Sequence, residues 1–375
     1  MVSIVFIAAN QGVPWGASEF LWSRAAHTLA ASSDVEVAAC VKSWSLGLDP
    51  IEELRSVGCR IIARLKEEDE RAFEMCEVPP APTKEVLQLR PDLVVISHGD
   101  NREGLPWMEL CSAHGIRYVS LAHRASEWDW PPPFVIPRLR SAYLAASAAH
   151  FVSEHNRRLT EQMICASIPH ATIVRNPYNV PYSDIPYWPD QTVARMACVA
   201  RLDLESKAHD ILFAVLASPK WRNRAIRIDI VGREGPHVQV LRELSQFLDL
   251  GQQLTFRDSV DDIAEVWAEC HALVLPSRRE GMPVAIVEAM LSGRPCLVTD
   301  VGGCAEIVEH GRSGWVADYP TVNALDRALD LAWEARDDWA AMGRYAASAI
   351  RSLVPADPAG EYADLLLRIL HGHKS

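Results

Sequence analysis

Two carboxylates eight positions apart, Glu280 and Glu288, frame the stretch of this chain richest in chemistry: Ser277-Arg278-Arg279-Glu280-Gly281-Met282-Pro283-Val284-Ala285-Ile286-Val287-Glu288-Ala289-Met290. Pro283 suits the first position of a helix and Gly293 the position just past its end, so a helix of about three turns is expected there. The apolar run Ala272 to Leu275 leads into it. Unpaired N–H groups at such a helix start, held at the carboxyl end of a parallel strand, attract a phosphate. An anion site at Gly281, Met282, Pro283 and Val284 follows. Glu280 lies just before the helix and Glu288 within it, so they reach different parts of one ligand, and carboxylates accept hydrogen bonds from sugar hydroxyls. Upstream, Arg201 and Lys207 follow the apolar run Met196 to Ala200. Two cations there would neutralise a departing diphosphate, most effectively where water is excluded.

The first half carries a second group. Asn10-Gln11-Gly12-Val13-Pro14-Trp15-Gly16-Ala17-Ser18-Glu19 joins an apolar run to an amphipathic stretch, and Gly12 and Gly16 allow close backbone approach beside the free N–H groups of a helix start. The stretch is not a G-x-G-x-x-G, which disfavours a dinucleotide-dependent dehydrogenase. His123 ends the run Tyr118 to Ala122, again at a strand's carboxyl end. Trp128 and Trp130 just beyond offer flat apolar faces with one N–H each, suited to stacking on a sugar or another ring of an acceptor, or to packing in a core.

These residues need strands that end together. Short apolar runs at Ile4 to Ala9, Val35 to Val41, Leu93 to Ser97 and Tyr118 to Ala122 alternate with amphipathic stretches such as Ser18 to Ala30 and Glu52 to Val57, the rhythm of βαβ units around a parallel sheet. The rhythm restarts with Met196 to Ala200, Ile226 to Val231, Ala272 to Leu275 and Cys296 to Thr299. Two α/β domains are expected: 1–176, a hinge at 177–190 marked by Pro177, Pro181, Pro186 and Pro189, and 191–350, followed by a C-terminal helix within 351–375. The tail's stripe Tyr362, Leu365, Leu366, Ile369 should pack on a domain surface. The segment Phe134 to Ala149, with Arg138 and Arg140, reads either as a buried helix or as an interfacial one touching a membrane surface. The acidic run Glu67 to Glu70 reads as a solvated helix face.

The whole pattern E-G-x-P-x-x-x-x-E-A-M at 280–290 resembles the signature of the family-4 retaining glycosyltransferases. The likeness continues through Ser292-Gly293-Arg294-Pro295, then Thr299 to Val308 with Gly302-Gly303 and Glu306, then Gly311 to Gly314. Arg201-Leu202 and Lys207 resemble the family's G-R-L and K-G, with Ala200 and Ala208 replacing two glycines. Ile230 to Pro236 resembles its V-G-x-G-P turn with one extra residue, Glu234, and Phe256-Arg257-Asp258-Ser259-Val260 resembles the segment bordering the base. Gly16-Ala17-Ser18-Glu19 stands where G-G-S-E is usual, and His123 matches the family's histidine after the corresponding strand.

The resemblance implies an α/β fold of two Rossmann-like doubly wound domains facing across a cleft, the GT-B type. It implies a retaining glycosyltransferase that moves a sugar from a UDP- or GDP-linked donor to a hydroxyl of a glycan, a lipid-linked or a small-molecule acceptor. Glu280 would contact the transferred sugar, Glu288 the ribose, and the amides after Gly281 the diphosphate. Arg201 and Lys207 would stabilise the leaving group, the Gly16 loop would close over the diphosphate, and His123 would line the reaction centre. A sugar phosphorylase on the same scaffold and a noncatalytic nucleotide-sugar-binding protein are the alternatives, separated by phosphate dependence and by turnover.

The 375 residues suffice for two domains, and a net charge of −12 speaks against nucleic acid or an anionic bilayer as a nonspecific partner. Nine cysteines, odd in number and without a C-x-x-C, fit a reducing cytoplasm and no zinc knuckle. The run Ile4 to Ala9 lacks the flanks of a signal peptide, and no apolar window is long enough to span a bilayer. No Asp-x-Asp occurs, so no cofactor or metal is expected, the nucleotide sugar being a co-substrate.

Overall fold

The computed structural model describes residues 2–32, 34–65, 80–190, 193–232, 235–257 and 260–372. The acidic run Glu67 to Glu70, the turn residues Arg233 and Glu234, and Asp258 and Ser259 lie outside them. The chain divides into two compact units, Met1–Pro177 with Asp357–Ser375, and Tyr178–Ala356.

The first unit is built on seven parallel strands: β1 (Val2–Ala8), β2 (Val35–Lys42), β3 (Arg60–Arg64), β4 (Leu93–Asp100), β5 (Tyr118–Arg124), β6 (Ala148–Phe151) and β7 (Ala171–Ile173). Their order is β3-β2-β1-β4-β5-β6-β7, so the winding reverses between β1 and β4, the place where ligands bind in open α/β sheets. Successive residues of β1 serve opposite faces. Ile4 and Phe6 enter a core with the helix Ala17–Ala30 and the C-terminal helix, while Val5 and Ile7 enter the other with the helices Leu105–Ala113 and Ile136–Ala145. A sheet covered on both faces accounts for runs apolar at every position rather than at alternate ones.

The second unit repeats the plan with β8 (Ala194–Val199), β9 (Ile226–Val231), β10 (Leu254–Arg257), β11 (Ala272–Leu275), β12 (Cys296–Thr299) and β13 (Gly314–Ala317), all parallel in the order β10-β9-β8-β11-β12-β13. Its reversal falls between β8 and β11, whose following loops carry Arg201 and Glu280. The segment 178–190 runs along this unit. Tyr182 O accepts from Arg351 Nε at 2.7 Å, Tyr187 O from Arg294 Nη2 at 2.9 Å, and Pro189 O lies 3.3 Å from His271 Nε2.

The tail divides later than the expected boundary at 351. Residues through Ala356 are part of the second unit, and the helix Pro358–Leu370 is part of the first. Tyr362, Leu365 and Leu366 are buried against the helix Ala17–Ala30. Arg117 donates to the carbonyls of Leu370, at 3.0 Å, and Ile369, which end this helix, and cations are favourable there. Phe134 to Ala149 is not one helix: it is helical over Ile136–Ala145, and Ala148 begins β6. Arg138 forks onto Glu109 at 2.8 and 2.7 Å, and Arg140 Nε donates to Ile164 O at 2.6 Å. Both cations are thus engaged within the first unit. Among the described residues no helix is long and apolar enough to cross a membrane.

Leu366 is fully buried in the first unit's core. Leu366→Ala should therefore destabilise that unit by about 2–5 kcal/mol through lost burial and the cavity left behind. Urea unfolding followed by far-UV circular dichroism would show it, and a change within about 0.5 kcal/mol would mean that the helix is not integral to the unit.

Candidate functional site

After β8 the backbone passes Ala200 and Arg201 and turns at Asp203, whose Oδ1 accepts from Glu205 N at 3.0 Å and so starts the one-turn helix Leu204–Lys207. Arg201 Nη2 meets Asp203 Oδ2 at 2.7 Å. Ala208 follows in the left-handed region, φ +52°, a conformation costing an alanine about 1–2 kcal/mol. That turn sends Lys207 Nζ to Glu280 Oε1 at 2.6 Å. Gly232, after β9, crosses close by: a Cβ on it would lie 2.0 Å from Ala200 O, and one on Gly235 would lie 2.2 Å from Leu202 O.

After β11, Ser277 and Glu280 are buried, and Ser277 Oγ donates to Glu280 Oε1 at 2.7 Å. One carboxylate oxygen thus takes both an ammonium and a hydroxyl. The loop is fixed from β12, where Thr299 Oγ1 donates to Ser277 O at 2.6 Å and Gly303 N to Gly281 O at 2.6 Å. Gly302, at φ +55°, would set a Cβ 2.3 Å from Glu280 O, so only glycine fits. Arg278 forks onto Asp210 at 2.8 and 2.7 Å, and Ser206 O accepts from Arg278 N at 2.8 Å, tying the loop after β11 to the one after β8.

The helix here is shorter than expected. It runs over the eight residues Val284–Leu291 with Pro283 as its N-cap, extended at ψ 119° rather than in the first turn. Just before it, Gly281 O is taken by Gly303 N of the next loop. Gly293 does hold the expected left-handed position, φ +73°. Glu288 is buried, and its Oε1 accepts from Asn179 N at 2.9 Å and Asn179 Nδ2 at 3.1 Å. Asn179 was not anticipated, because no spacing relates position 179 to 288. The second unit therefore brings Lys207 and Glu280 together and places Arg201, Gly281, Met282, Pro283, Val284 and Glu288 at the same strand ends.

In the first unit Gly16 caps the helix Ala17–Ala30. Its N–H donates to Glu19 Oε2 at 3.0 Å, and Glu19 Oε1 accepts from Asn10 Nδ2 at 3.0 Å. Burial pushes the Glu19 carboxyl up. Lys42 Nζ, also buried, holds Asn10 O at 2.8 Å and Gln11 Oε1 at 2.6 Å. A small hydrogen-bonded frame thus sets the glycine loop.

His123 is buried at the end of β5, its Nε2 3.2 Å from Ser97 Oγ and its carbonyl accepting from Asn156 Nδ2 at 3.3 Å. Burial, seconded by nearby His98, pushes its pKa down to about 3, so the imidazole is neutral at ordinary pH. His123 Nδ1, Asn156 Oδ1 and Asn176 Oδ1 are buried without a hydrogen-bond partner. The two asparagines escaped the sequence reading as site residues. Trp128 and Trp130 are 71% and 52% exposed, so neither is a core residue. Among the described residues no group of three or more His, Cys, Asp or Glu is gathered as a metal ion requires, and the described cysteines are all free.

With this geometry in view, residues 189–349 match the family model described as Glycosyl transferases group 1. The chain is 31% identical over 169 residues to the D-inositol 3-phosphate glycosyltransferase of Gordonia bronchialis, across 42% of this chain and 36% of that protein. It is 30% identical over 99 residues to the N-acetyl-alpha-D-glucosaminyl L-malate synthase of Bacillus anthracis, across 26% of each. The matches therefore span about a quarter to just over a third of these curated relatives. The crystal structure of Anabaena Alr3699/HepE in complex with UDP superposes with a TM-score of 0.76 at 16% identity, across 98% of this chain and 99% of that one. That likeness is one of fold: two parallel Rossmann-like α/β sheets, as in GT-B glycosyltransferase structures.

Two outcomes test the site's electrostatics. Lys207→Met strands the buried Glu280 carboxylate and should cost the second unit about 3 kcal/mol, the low end for breaking a buried pair because the lysine side chain keeps 21% of its surface exposed. Much of the loss should return in the Lys207→Met/Glu280→Gln pair, measured by urea denaturation. The second outcome concerns His98, whose Nδ1 faces Asp100 O at 2.7 Å and Nε2 faces Ser120 Oγ at 2.8 Å, and whose pKa burial pushes down from 6.5 to about 4. The unfolded chain takes up this proton below about pH 6.5 and the folded chain only near pH 4, so the contribution present above the upper value is lost as pH falls through the window. Between about pH 7 and pH 5, His98→Gln should lose about 2 kcal/mol less stability than the wild type. Equal slopes would show that the folded chain protonates His98 as readily as the unfolded chain does.

Proposed function

We propose that the protein is a retaining, metal-independent glycosyltransferase of the family-4 kind, transferring a sugar from a UDP- or GDP-linked donor to an acceptor hydroxyl. One observation carries this reading: Lys207, Glu280 and Ser277 are hydrogen-bonded together at the winding reversal of the second unit, beside a helix start, within the stretch that matches the group 1 model. The UDP in the HepE structure supports a nucleotide donor, and the malate and inositol phosphate in the two relatives' names favour a small-molecule acceptor. Eight described cysteines without a disulfide suit a cytoplasmic setting.

In this reading the amides of Gly281 to Val284 hold the diphosphate and Glu288, braced by Asn179, binds the ribose hydroxyls. Glu280 orients the transferred sugar. The bond between the anomeric carbon and the diphosphate oxygen breaks, and its electron pair stays on that oxygen, where Arg201 and Lys207 stabilise the charge. The acceptor oxygen bonds to the anomeric carbon on the same face, and its proton passes to the leaving phosphate oxygen. Neither glutamate acts as nucleophile. The first unit supplies the Gly16 loop, neutral His123 as a hydrogen-bonding wall to the sugar, and Trp128 and Trp130 as stacking faces for the acceptor.

The test is a thermal-shift comparison of UDP, GDP, ADP and their sugar conjugates in EDTA. One nucleotide at about a hundred times its Kd should add about 2.7 kcal/mol of stability, and Glu288→Ala should abolish the shift. No response to any nucleotide would refute the reading, whereas turnover only with inorganic phosphate would convert it to a phosphorylase.

A further inference from the structure

In the first unit, at the carboxyl ends of β4 and β5, two arginines stand over one carboxylate. Asp100, the last residue of β4, is buried. Arg102 Nε lies 3.3 Å from its Oδ1 and Arg124 Nη2 lies 3.7 Å from its Oδ2, and the two side chains keep 32% and 33% of their surface exposed. Neither guanidinium donates a hydrogen bond to any described group, and both Nε atoms are shut off from water without a hydrogen-bond partner. Arg201 and Arg279 also keep a buried Nε without a hydrogen-bond partner, but Arg201 still donates through Nη2 to Asp203 at 2.7 Å, whereas Arg278 forks onto Asp210, and Arg294 donates to the carbonyls of Trp267, Cys270, Ser292 and Tyr187.

The surrounding acids do not meet this demand. Glu103 Oε2 is taken by Gly99 N at 2.8 Å and Asp100 N at 3.0 Å. Burial, and then the charge of Asp100, push its pKa up to about 7, so near neutrality it is only half ionised. Asp129 is close enough to raise Asp100 further. Among the described residues only Asp100 makes ion pairs with the two guanidiniums, and a guanidinium only donates. The complement of two such groups, side by side with their exposed edges unbonded, is an oxyanion.

We propose that Arg102 and Arg124 form an oxyanion subsite for the acceptor, so that the molecule receiving the sugar carries a phosphate or carboxylate. This rests on the transferase reading and adds to it a substrate class. Asp100 then acts as the counter-charge that holds the two guanidiniums in place while no acceptor is bound, and the acceptor's anion competes with it.

The test is calorimetric titration of the full chain, saturated with whichever of UDP or GDP it binds, by glycerol 3-phosphate, succinate and uncharged glycerol. Glycerol 3-phosphate or succinate should bind at least about tenfold more tightly than glycerol, and which of the two does so tells a phosphate from a carboxylate. Arg124→Gln and Arg102→Gln should each weaken the charged probe about tenfold, with nucleotide affinity unchanged. Asp100→Asn should strengthen it, an effect that a purely structural role for Asp100 does not produce. Because a stranded Asp100 could unfold the unit, the Arg124→Gln/Asp100→Asn pair is measured as well and should bind the charged probe more weakly than Asp100→Asn alone. Charged probes bound no better than glycerol, or unaffected by the arginine variants, would overturn the proposal. A parallel loss of nucleotide affinity would assign the arginines to the donor instead and overturn it equally. Failure of the wild type to bind any nucleotide would refute the transferase reading itself, a separate result.

Discussion

A carboxylate buried at position 280 must be neutralised where it stands, and much of the second unit follows from that requirement. An ionised group taken out of water costs several kcal/mol unless a partner and further hydrogen bonds meet it. Glu280 is met by Lys207 and by Ser277. Lys207 reaches it because Asp203 starts a single helical turn and Ala208 ends it in the left-handed region. Ser277 is held because its carbonyl accepts from Thr299, and the chain after β12 passes close enough to help only because residue 302 is glycine. Loops after three adjacent strands, β8, β11 and β12, are thereby locked to one another before any ligand arrives. Such preorganisation is what a site needs in order to stabilise charge that develops during a reaction.

Parallel sheets make this economical. Every strand of each unit delivers its carboxyl end to the same edge, and the reversal of winding opens that edge between two neighbouring strands. The two units use the opening differently. The second gathers opposite charges into a closed pair at β8 and β11. The first lines the ends of β1, β4 and β5 with the glycine loop, the buried neutral His123 and arginines that remain under-bonded. A locked, charge-balanced site fits a group that is always the same, as a nucleoside diphosphate would be. An unsatisfied one fits a group that arrives from solution and completes the hydrogen bonds.

The sequence made the inner strands legible and left the outer ones obscure, for a physical reason. β1, β2, β4, β5, β8, β9, β11 and β12 are covered on both faces and read as apolar runs. β3 begins and ends with arginine, β7 has three residues, and β6 is hidden in the alanine-rich stretch that follows the helix Ile136–Ala145. The charged residues of the site were legible because their spacing in the second unit is local, within 201–207 and 280–288. What stayed hidden depends on contacts between distant positions: Asn179 on Glu288, Asn156 on the carbonyl of His123, Arg124 on Asp100. The helix after Pro283 is also shorter than its punctuation suggests, because Pro283 stands outside it as an extended N-cap.

The two alanines that stand where the resembling family has glycine separate two demands that glycine usually meets together. At 208 the demand is conformational. The residue is left-handed whatever its identity, and an alanine there holds strain of about 1–2 kcal/mol, tolerated because the turn must aim Lys207 at Glu280. At 200 the demand is for space between two backbones, and it falls on the partner: an added Cβ at Gly232 would meet Ala200 O at 2.0 Å. One glycine at a crossing of two chains is enough, provided that the other residue's side chain points elsewhere. The buried pair at 207 and 280 is formed with alanine at both positions, its ammonium and carboxylate 2.6 Å apart.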